Sequence, residues 1–274
     1  MSDKARLAVV QVNSGDDISQ NLKQINEYLR LAVAKQSVAV FLPECFAFMQ
    51  SSRDQLFQFA ERDAGGQIQD FLSSASARYG IWIFAGSLPF RTSDPGRITN
   101  TMLVFNQDGN RVARYDKIHL FDVVLSVEEK YLESSYTQPG EEIKVVDTPF
   151  GKVGLSICYD LRFPEMYRKL VGLGAEILIV PSAFSNTTGE AHWLPLLQAR
   201  AIENTCYVVA PAQTGVHPNG RKPHGRSVII DPWGRVLGNM KEECGLLTAD
   251  IDLPYLSRIR SSLPSLSHRR PELF

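Results

Sequence analysis

Short apolar runs rich in β-branched residues alternate with segments of helical periodicity along the whole chain, and this alternation restricts the possible folds strongly. Runs of this kind, bounded by glycine, proline or asparagine, predict β-strands. The predicted strands cover residues 6–13, 38–42, 81–87, 101–106, 153–157, 177–181, 206–211, 227–231 and 246–251. One buried helical face is predicted by the spacing of Ile18, Leu22, Ile25, Leu29 and Val33. Further helices are predicted over about 67–79, 164–173 and 190–204.

Two tight turns indicate that the sheets are not purely parallel. In NQDGN at 106–110, the Asp-Gly pair tolerates the positive φ of a hairpin turn between strands 101–105 and 111–115. A similar turn, DPWG at 231–234, connects 227–230 to 236–237. Hairpins join antiparallel strands, whereas parallel neighbours need a long crossover. We therefore predict a layered α/β fold with mixed sheets, and since no linker-like segment interrupts the chain, a single domain over 1–274.

Charge and composition exclude several classes of function. The 29 Lys and Arg residues against 30 Asp and Glu give a net charge of -1, which removes the electrostatic basis for binding nucleic acid. No apolar run reaches the roughly 18 residues that span a bilayer. The start, MSDKARLAVVQVN, lacks the apolar core of a secretory signal. We therefore expect a cytoplasmic protein with neither a membrane nor a nucleic-acid partner.

Motifs for cofactors and metals are also missing from the sequence. Gly172-Leu173-Gly174 lacks the third glycine of a dinucleotide fingerprint and follows a predicted helix, and neither GxxxxGK[ST] nor HExxH occurs. The pair Glu190 and His192 is isolated and fits a helix start better than a metal site. The four cysteines, at 45, 158, 206 and 244, form no CxxC pair and are expected to be free thiols. No cofactor or metal is predicted.

Cys158 is the first candidate catalytic residue. It ends the predicted strand 153–157 and is soon followed by the helix that opens at Pro164. A turn from strand to helix is where α/β proteins present nucleophiles. A nearby helix N-terminus and the cations Arg162 and Lys117 would favour its thiolate. The alternative interpretation is a buried cysteine at a strand end.

Glu44, Lys117 and Glu133 are the other candidates. Glu44 ends VAVFLPE, and partial desolvation there is expected to raise its pKa towards that of a usable general base. An ordinary loop or helix-capping acid is the alternative. Lys117, in YDKIHLF, also follows a strand and is flanked by apolar residues, with a surface lysine as the alternative. Glu133 lies in a predicted loop and carries no signal by itself.

Three segments together resemble the signatures of a known family. LPE at 42–44, YDKIHLF at 115–121 and GLSICYDLRFPEMYR at 154–168 closely resemble the Glu, Lys and Cys signatures of the nitrilase-type carbon–nitrogen hydrolases. The resemblance runs essentially from Leu7 to the C-terminus and implies a four-layer α-β-β-α sandwich that forms a homodimer or a larger homo-oligomer. PSAF at 181–184, GEAHW at 189–193 and HRRPEL at 268–273 look like the Nit branch, whose best-defined members are amidases that hydrolyse deaminated glutathione.

The resemblance implies a role for each candidate residue. Cys158 is the nucleophile, Glu44 the general base, Lys117 the cation at the oxyanion and Glu133 a supporting glutamate. The implied enzyme is a metal-free amidase that hydrolyses a linear amide of a carboxylate or α-keto acid, preferably deaminated glutathione, through a cysteine thioester, and releases an acid and ammonia. The alternatives are an ω-amidase acting on α-ketoglutaramate, a nitrilase, and a catalytically silent binding scaffold.

Substrate contacts are predicted around the same centre. The loop GRKPHGR at 220–226 is basic and could meet an anionic substrate or be a solvated turn. Arg162 could orient a substrate carboxylate or form an internal ion pair. Aromatic residues after strand ends could wall a pocket or belong to the core. In HGRS at 224–227 an arginine stands where the family pattern would place a second histidine. The predicted substrate contacts are Tyr159, Arg162, Phe46, Ser182, Phe184 and Arg226.

Overall fold

The computed structural model describes residues 4–63, 65–127 and 129–273. The helices are α1 (Ile18–Ala34), α2 (Arg53–Phe59), α3 (Gln67–Tyr79), α4 (Pro164–Gly172), α5 (Asn186–Asn204) and α6 (Leu253–Ser262). The strands are β1 (Lys4–Gln11), β2 (Ala39–Leu42), β3 (Trp82–Arg91), β4 (Ile98–Phe105), β5 (Arg111–Asp116), β6 (Asp122–Val124), β7 (Lys130–Leu132), β8 (Val145–Thr148), β9 (Gly151–Gly154), β10 (Ile177–Ile179), β11 (Tyr207–Ala210), β12 (Val228–Ile230), β13 (Val236–Asn239) and β14 (Gly245–Asp252). Within these described segments, none of the helices is both long and apolar enough to cross a membrane.

Two six-stranded sheets form the centre of the molecule. The first has the order β14-β1-β2-β3-β4-β5 and the second the order β13-β12-β11-β10-β9-β8. In each sheet three neighbouring strands are parallel (β1, β2, β3 and β9, β10, β11) and the flanking strands are antiparallel. The predicted hairpin at 106–110 is present, with Gly109 at φ 84°. The prediction of mixed sheets is therefore confirmed.

The four layers follow from the alternation of side chains along the strands. In β1, Ala8 and Val10 face the layer of α1 and α3, while Leu7 and Val9 face the second sheet. On the far side of the second sheet, buried side chains of α4 and α5, such as Tyr167, close the other half of the core. Each fully buried Leu or Ile contributes about 1.5–3 kcal/mol to stability. The α-β-β-α sandwich expected from the resemblance is confirmed.

Some local predictions were wrong. Val33 is 38% exposed, and Ala32 lies in the buried face instead. Each step of four residues turns about 40° past a full helical turn, so consecutive steps of four move a residue off the buried stripe. Helix α5 begins at Asn186 rather than at 190. The sequence prediction missed α2, α6, β8 and the two-stranded sheet of β6 and β7, whose short, partly polar segments lack a clear period.

Candidate active site

The ends of three strands bring Glu44, Lys117 and Cys158 into one buried cluster. Glu44 lies two residues after β2, Lys117 directly after β5, and Cys158 on the turn that follows β9. The Lys117 Nζ lies 3.1 Å from Glu44 Oε1, and the Cys158 thiol lies near enough to the Glu44 carboxylate for that charge to raise the pKa of the thiol. Close approach of the strands depends on Gly86 in β3, where an added Cβ would lie 1.9 Å from the Pro43 carbonyl oxygen.

Glu133 joins the cluster through the hairpin of β6 and β7. It directly follows β7, and its Oε2 lies 2.9 Å from Lys117 Nζ and accepts a 2.7 Å hydrogen bond from the Phe121 N–H. The Asn100 amide, from β4, donates to Glu44 Oε1 at 3.0 Å and to Glu133 Oε1 at 3.4 Å. Two carboxylates therefore share one ammonium group and one amide.

The backbone around Cys158 leaves one hydrogen-bond donor open. Cys158 has φ 49°, a left-handed conformation that costs a non-glycine residue about 1–3 kcal/mol and is typical of functional sites. Its own N–H donates to the Pro181 carbonyl at 2.9 Å. The next N–H, that of Tyr159, has no acceptor among the residues that the structure describes. This amide is therefore available to a developing negative charge beside the thiol.

Asp160 fixes the turn that carries Cys158. Its carboxylate is fully buried, and Oδ2 accepts hydrogen bonds from the Ile157 N–H at 2.9 Å and from the Tyr115 hydroxyl at 2.6 Å. Oδ1 accepts from the His119 N–H at 3.0 Å and lies 2.7 Å from His119 Nδ1. Since Tyr115 and His119 flank the lysine of the cluster, Asp160 ties the nucleophile turn to the end of β5.

The electrostatics of Glu44 differ from the prediction. Burial by itself raises the pKa of Glu44, but Lys117, Arg221 and the hydrogen bond from the Ala183 N–H, 2.8 Å from Oε2, together hold it below its ordinary value. The prediction of a raised pKa was wrong because these partners come from distant parts of the chain. Burial also opposes the charge on Lys117, yet Glu133 and Glu44 raise its pKa well above the ordinary value. Glu44 is ionised and Lys117 protonated near neutral pH.

The expectation that a helix N-terminus and the cations Arg162 and Lys117 would favour the Cys158 thiolate was also wrong, because other groups outweigh them. Burial and the Glu44 carboxylate raise the pKa of the Cys158 thiol, and they outweigh Lys117 and Arg221. Arg162, one of the two cations on which the prediction rested, has its guanidinium 3.3 Å from His192 Nδ1. The resting site therefore holds a protonated thiol beside an ionised carboxylate, which is the arrangement that a general base requires.

A cavity of about 260 Å³ opens onto this cluster. Its wall combines apolar and aromatic side chains with a few polar groups, as small-molecule sites do. Besides the four predicted catalytic residues, the wall includes Cys45, Phe48, Asn100, Phe121, Tyr131, Tyr136 and Arg221. Burial raises the pKa of Cys45 to about 12, so this second thiol is less acidic than an ordinary cysteine.

Three predicted substrate contacts lie beside the cavity but do not form its wall. The Tyr159 ring packs edge-on against Phe121, with centroids 5.1 Å apart, and Tyr159 is not part of the cavity wall. Arg162 lies 5.3 Å above the ring of Phe184, and Phe184 packs against Trp193. Arg162 and Phe184 therefore pack the turn that carries Cys158 against the first half of α5.

The other three predicted contacts also lie elsewhere. Phe46 is fully buried in the core layer between the first sheet and α1, and Phe48, buried in the same layer, also lines the cavity. Ser182 is buried, and its hydroxyl donates to the Val180 carbonyl at 3.2 Å. Arg226 is exposed and lines a separate surface cavity.

Sequence reasoning missed several residues of the cavity. Asn100 and Tyr131 lie in β4 and β7, and strand periodicity gives no sign that their side chains reach a site. Arg221 belongs to the basic loop at 220–226, so the loop carried the signal but the residue predicted from it was Arg226. Among the described residues, no group of three or more His, Cys, Asp or Glu side chains is placed to hold a metal ion.

Comparisons with known proteins cover almost the whole chain. The family model for carbon-nitrogen hydrolases matches residues 6–261. A deaminated glutathione amidase of Synechocystis sp. strain PCC 6803 is 43% identical over 265 residues, which cover 96% of this chain and 97% of the relative. The deaminated glutathione amidase of Homo sapiens is 42% identical over 272 residues, covering 98% and 83%. The crystal structure of Saccharomyces cerevisiae Nit3, a member of branch 10 of the nitrilase superfamily, matches with a TM-score of 0.88 and 30% identity over 99% of this chain and 97% of that chain. The chain therefore belongs to the carbon-nitrogen hydrolase family and is a hydrolase that acts on carbon–nitrogen bonds.

Proposed function

We propose that this protein is an amidase that hydrolyses a linear amide of a carboxylate or α-keto acid, with deaminated glutathione as the preferred substrate. One observation carries the proposal: the buried Glu44 carboxylate, paired with Lys117 at 3.1 Å, lies beside the Cys158 thiol and raises its pKa, and all three residues line one cavity. The two relatives named as deaminated glutathione amidases support the choice of substrate.

In the first half of the reaction, Cys158 attacks the amide carbonyl. Glu44 takes the thiol proton as the S–C bond forms, and the carbonyl oxygen becomes an oxyanion. Lys117 has three N–H donors, of which Glu44 and Glu133 engage two, so the third can meet the oxyanion together with the Tyr159 N–H. Such a preorganised donor contributes about 3–4 kcal/mol of transition-state stabilisation in other enzymes. The C–N bond then breaks, and Glu44 returns the proton to the departing amine, which is ammonia for a primary amide.

In the second half, water replaces the amine. Glu44 takes a proton from water as the hydroxyl group bonds to the thioester carbon, and the C–S bond breaks. The sulfur recovers the proton, and the acid leaves. Glu133 holds Lys117 in place through both steps, since its carboxylate is itself fixed by the Phe121 N–H.

The proposal is tested by a panel of amides and by two substitutions. Wild-type kcat/KM is measured for deaminated glutathione, α-ketoglutaramate and pentanamide, and for pentanenitrile as the corresponding nitrile. Cys158→Ala should leave less than about one per cent of the activity, because covalent catalysis supplies more than two decades of rate. Glu44→Gln should be nearly as damaging. Cys244→Ser, at an exposed thiol, is the matched control and should behave like the wild type.

Each outcome has a clear meaning. Activity above one per cent in Cys158→Ala would refute the nucleophile assignment. A tenfold preference for α-ketoglutaramate would favour the ω-amidase alternative, and a preference for pentanamide would contradict an anionic substrate. Hydrolysis of a nitrile but of no amide would favour a nitrilase, and no turnover at all would leave a binding scaffold.

We infer in addition that the protein acts in the cytoplasm as a homo-oligomer. All four cysteines are free thiols, as a reducing compartment would keep them. Ile202, near the end of α5, and Trp233 are each 51% exposed. Gly234, the residue after Trp233, packs against the Ile202 side chain, so the two exposed residues lie close together. An exposed apolar pair of this kind supports a contact between copies of the chain. Trp233→Glu should lower the molecular mass measured by analytical ultracentrifugation, and an unchanged mass would contradict this contact.

A further inference from the structure

Arg221 is a cavity residue that the proposed mechanism does not use. It lies in the loop between β11 and β12 and lines the same cavity as Cys158. The loop is fixed at this point, because the His217 N–H donates to the Arg221 carbonyl at 3.0 Å and the Gly220 N–H to the His217 carbonyl at 2.8 Å. The position of the Arg221 backbone is therefore defined by the fold.

The guanidinium group of Arg221 is held in place by neutral partners. Its Nη2 donates to the Ala183 carbonyl, and its Cζ lies 5.1 Å from the centroid of the Tyr131 ring. Its Nε is buried and has no hydrogen-bond partner within the described parts of the chain. Among those residues, no carboxylate forms a direct ion pair with it. The Glu44 carboxylate, which Lys117 already pairs, lies near enough to interact with this charge but forms no direct ion pair with it, so Arg221 brings into the cavity a fixed positive charge with no ion-pair partner among the described residues.

A guanidinium in such a place favours an anionic ligand. Removing a charge from water is costly unless an opposite charge and hydrogen bonds replace the hydration. The five N–H donors of arginine form a planar fork that matches the two oxygens of a carboxylate. A carboxylate in the cavity would therefore supply the partner that the protein does not.

The other basic side chains near the cavity are less suited to this task. Lys117 is already shared by Glu44 and Glu133. Lys130 lines the cavity but is exposed to solvent, where an ion pair contributes little. Arg162 is directed to His192 and lies outside the wall. Arg221 is the remaining fixed cation of the wall.

We propose that Arg221 binds the carboxylate of the substrate while the scissile amide lies at Cys158, and that it thereby sets the preference for anionic amides. This inference rests on the proposed amidase function and adds to it the residue that selects the substrate class. The Ala183 peptide joins the two ends of the site, since its N–H donates to Glu44 Oε2 at 2.8 Å and its carbonyl accepts from Arg221. The Ala183 backbone therefore fixes the position of the Arg221 guanidinium relative to the Glu44 carboxylate.

The test uses two amides of the same chain length, glutaramate with a terminal carboxylate and pentanamide without one. In Arg221→Gln, kcat/KM for glutaramate should fall about 100-fold, mainly through KM, because a charged hydrogen-bonded contact is lost. For pentanamide the fall should be at least about tenfold smaller, because Lys117 and the Ala183 N–H still favour the ionised form of Glu44. Arg221→Lys keeps the charge but not the fork and should recover part of the loss. Lys222→Gln, at the exposed neighbouring position of the same loop, is the control and should match the wild type.

Other results would overturn the inference. An equal loss for both amides would show that Arg221 supports Glu44 through Ala183 and selects nothing. No loss for either would place the carboxylate elsewhere. Where Arg221→Gln does not fold, as judged by circular dichroism, a glutaramate-to-pentanamide ratio in Arg221→Lys equal to that of the wild type would likewise refute it. Wild-type protein that hydrolyses neither these amides nor deaminated glutathione would refute the proposed function itself, and that result is separate from any effect of Arg221.

Discussion

The Asp160→Asn substitution should disturb the relative position of Cys158 and Lys117 without changing either residue. The two oxygens of Asp160 accept hydrogen bonds from different backbone segments, Oδ2 from the Ile157 N–H at 2.9 Å and Oδ1 from the His119 N–H at 3.0 Å. Asparagine has one acceptor oxygen and one donor amide in the same space. Whichever way it is oriented, one of these two backbone N–H groups faces an NH₂ group.

The size of the expected loss in unfolding free energy follows from the burial of the Asp160 carboxylate, which is fully enclosed. An unsatisfied buried donor costs about 1–3 kcal/mol, and the loss of the charge weakens the hydrogen bonds that remain. The free energy of unfolding should therefore fall by about 2–4 kcal/mol. Because Ile157 precedes Cys158, a shift of the turn also moves the thiol, and a misplacement of about 1 Å can lower kcat up to 100-fold.

On the same preparations, urea unfolding gives the free energy of unfolding and steady-state kinetics give kcat. Asp147→Asn is the matched control, since Asp147 lies on β8 in an exposed pair with Lys152, 3.1 Å away. Its unfolding free energy should change by less than about 0.5 kcal/mol and its kcat should not change. A loss below about 0.5 kcal/mol in Asp160→Asn would refute the stabilising role of these hydrogen bonds. A wild-type kcat would show that the turn is held by other contacts.

Three other measurements test the charges of the site and of the loop beside it. Lys117→Arg should lower kcat at least about 100-fold although the charge is kept, because a planar guanidinium cannot place one donor between two carboxylates and an oxyanion; a wild-type kcat would contradict this role. The pKa of Glu44 lies below the ordinary 4.5 and that of Lys117 above 10.5, so kcat/KM should be flat from about pH 5.5 to 9.5, and a limb centred near pH 7 would be inconsistent with the scheme. Burial lowers the pKa of His217 from 6.5 to about 4. As the pH falls from 6.5 to 4, the imidazole therefore binds a proton in the unfolded chain before it does so in the folded protein, and protonation favours unfolding. Up to about 3 kcal/mol of stability should be lost between pH 6.5 and 4, and His217→Gln should reduce that loss in urea unfolding at the two pH values; equal losses in both proteins would argue against it.

Local patterns in the sequence predicted most of the elements and the places where chemistry could occur. The strand before Glu44, the Asp-Gly turn at Gly109 and the helix that opens at Pro164 depend on residues close together in the chain, so their signals are visible in a short window. Strand ends are local features too. For this reason Glu44, Lys117 and Cys158 could be named before their contacts were known, whereas Glu133, in a predicted loop, was named only from the family resemblance.

The protonation states could not be predicted from those local patterns. For Glu44, a strand-end position implies burial, and burial alone raises the pKa of a carboxylate. The structure reverses the sign because Lys117, Arg221 and the Ala183 N–H lie far along the chain and meet Glu44 only in the folded state. For Cys158, the same fold places a carboxylate rather than the expected arginine beside the thiol, and the pKa rises.

The composition of the cavity wall was decided by the tertiary structure in the same way. Phe46 and Phe48 are two residues apart and are both buried in the same core layer, yet of the two only Phe48 also lines the cavity. In the basic loop, hydrogen bonds of His217 and Ala183 hold Arg221 at the cavity, while Arg226 remains exposed. The sequence by itself thus determined which strand ends carry reactive groups, since that information is local. Which neighbours surround those groups was determined by packing between residues far apart in the chain, and a pattern of adjacent residues does not contain it.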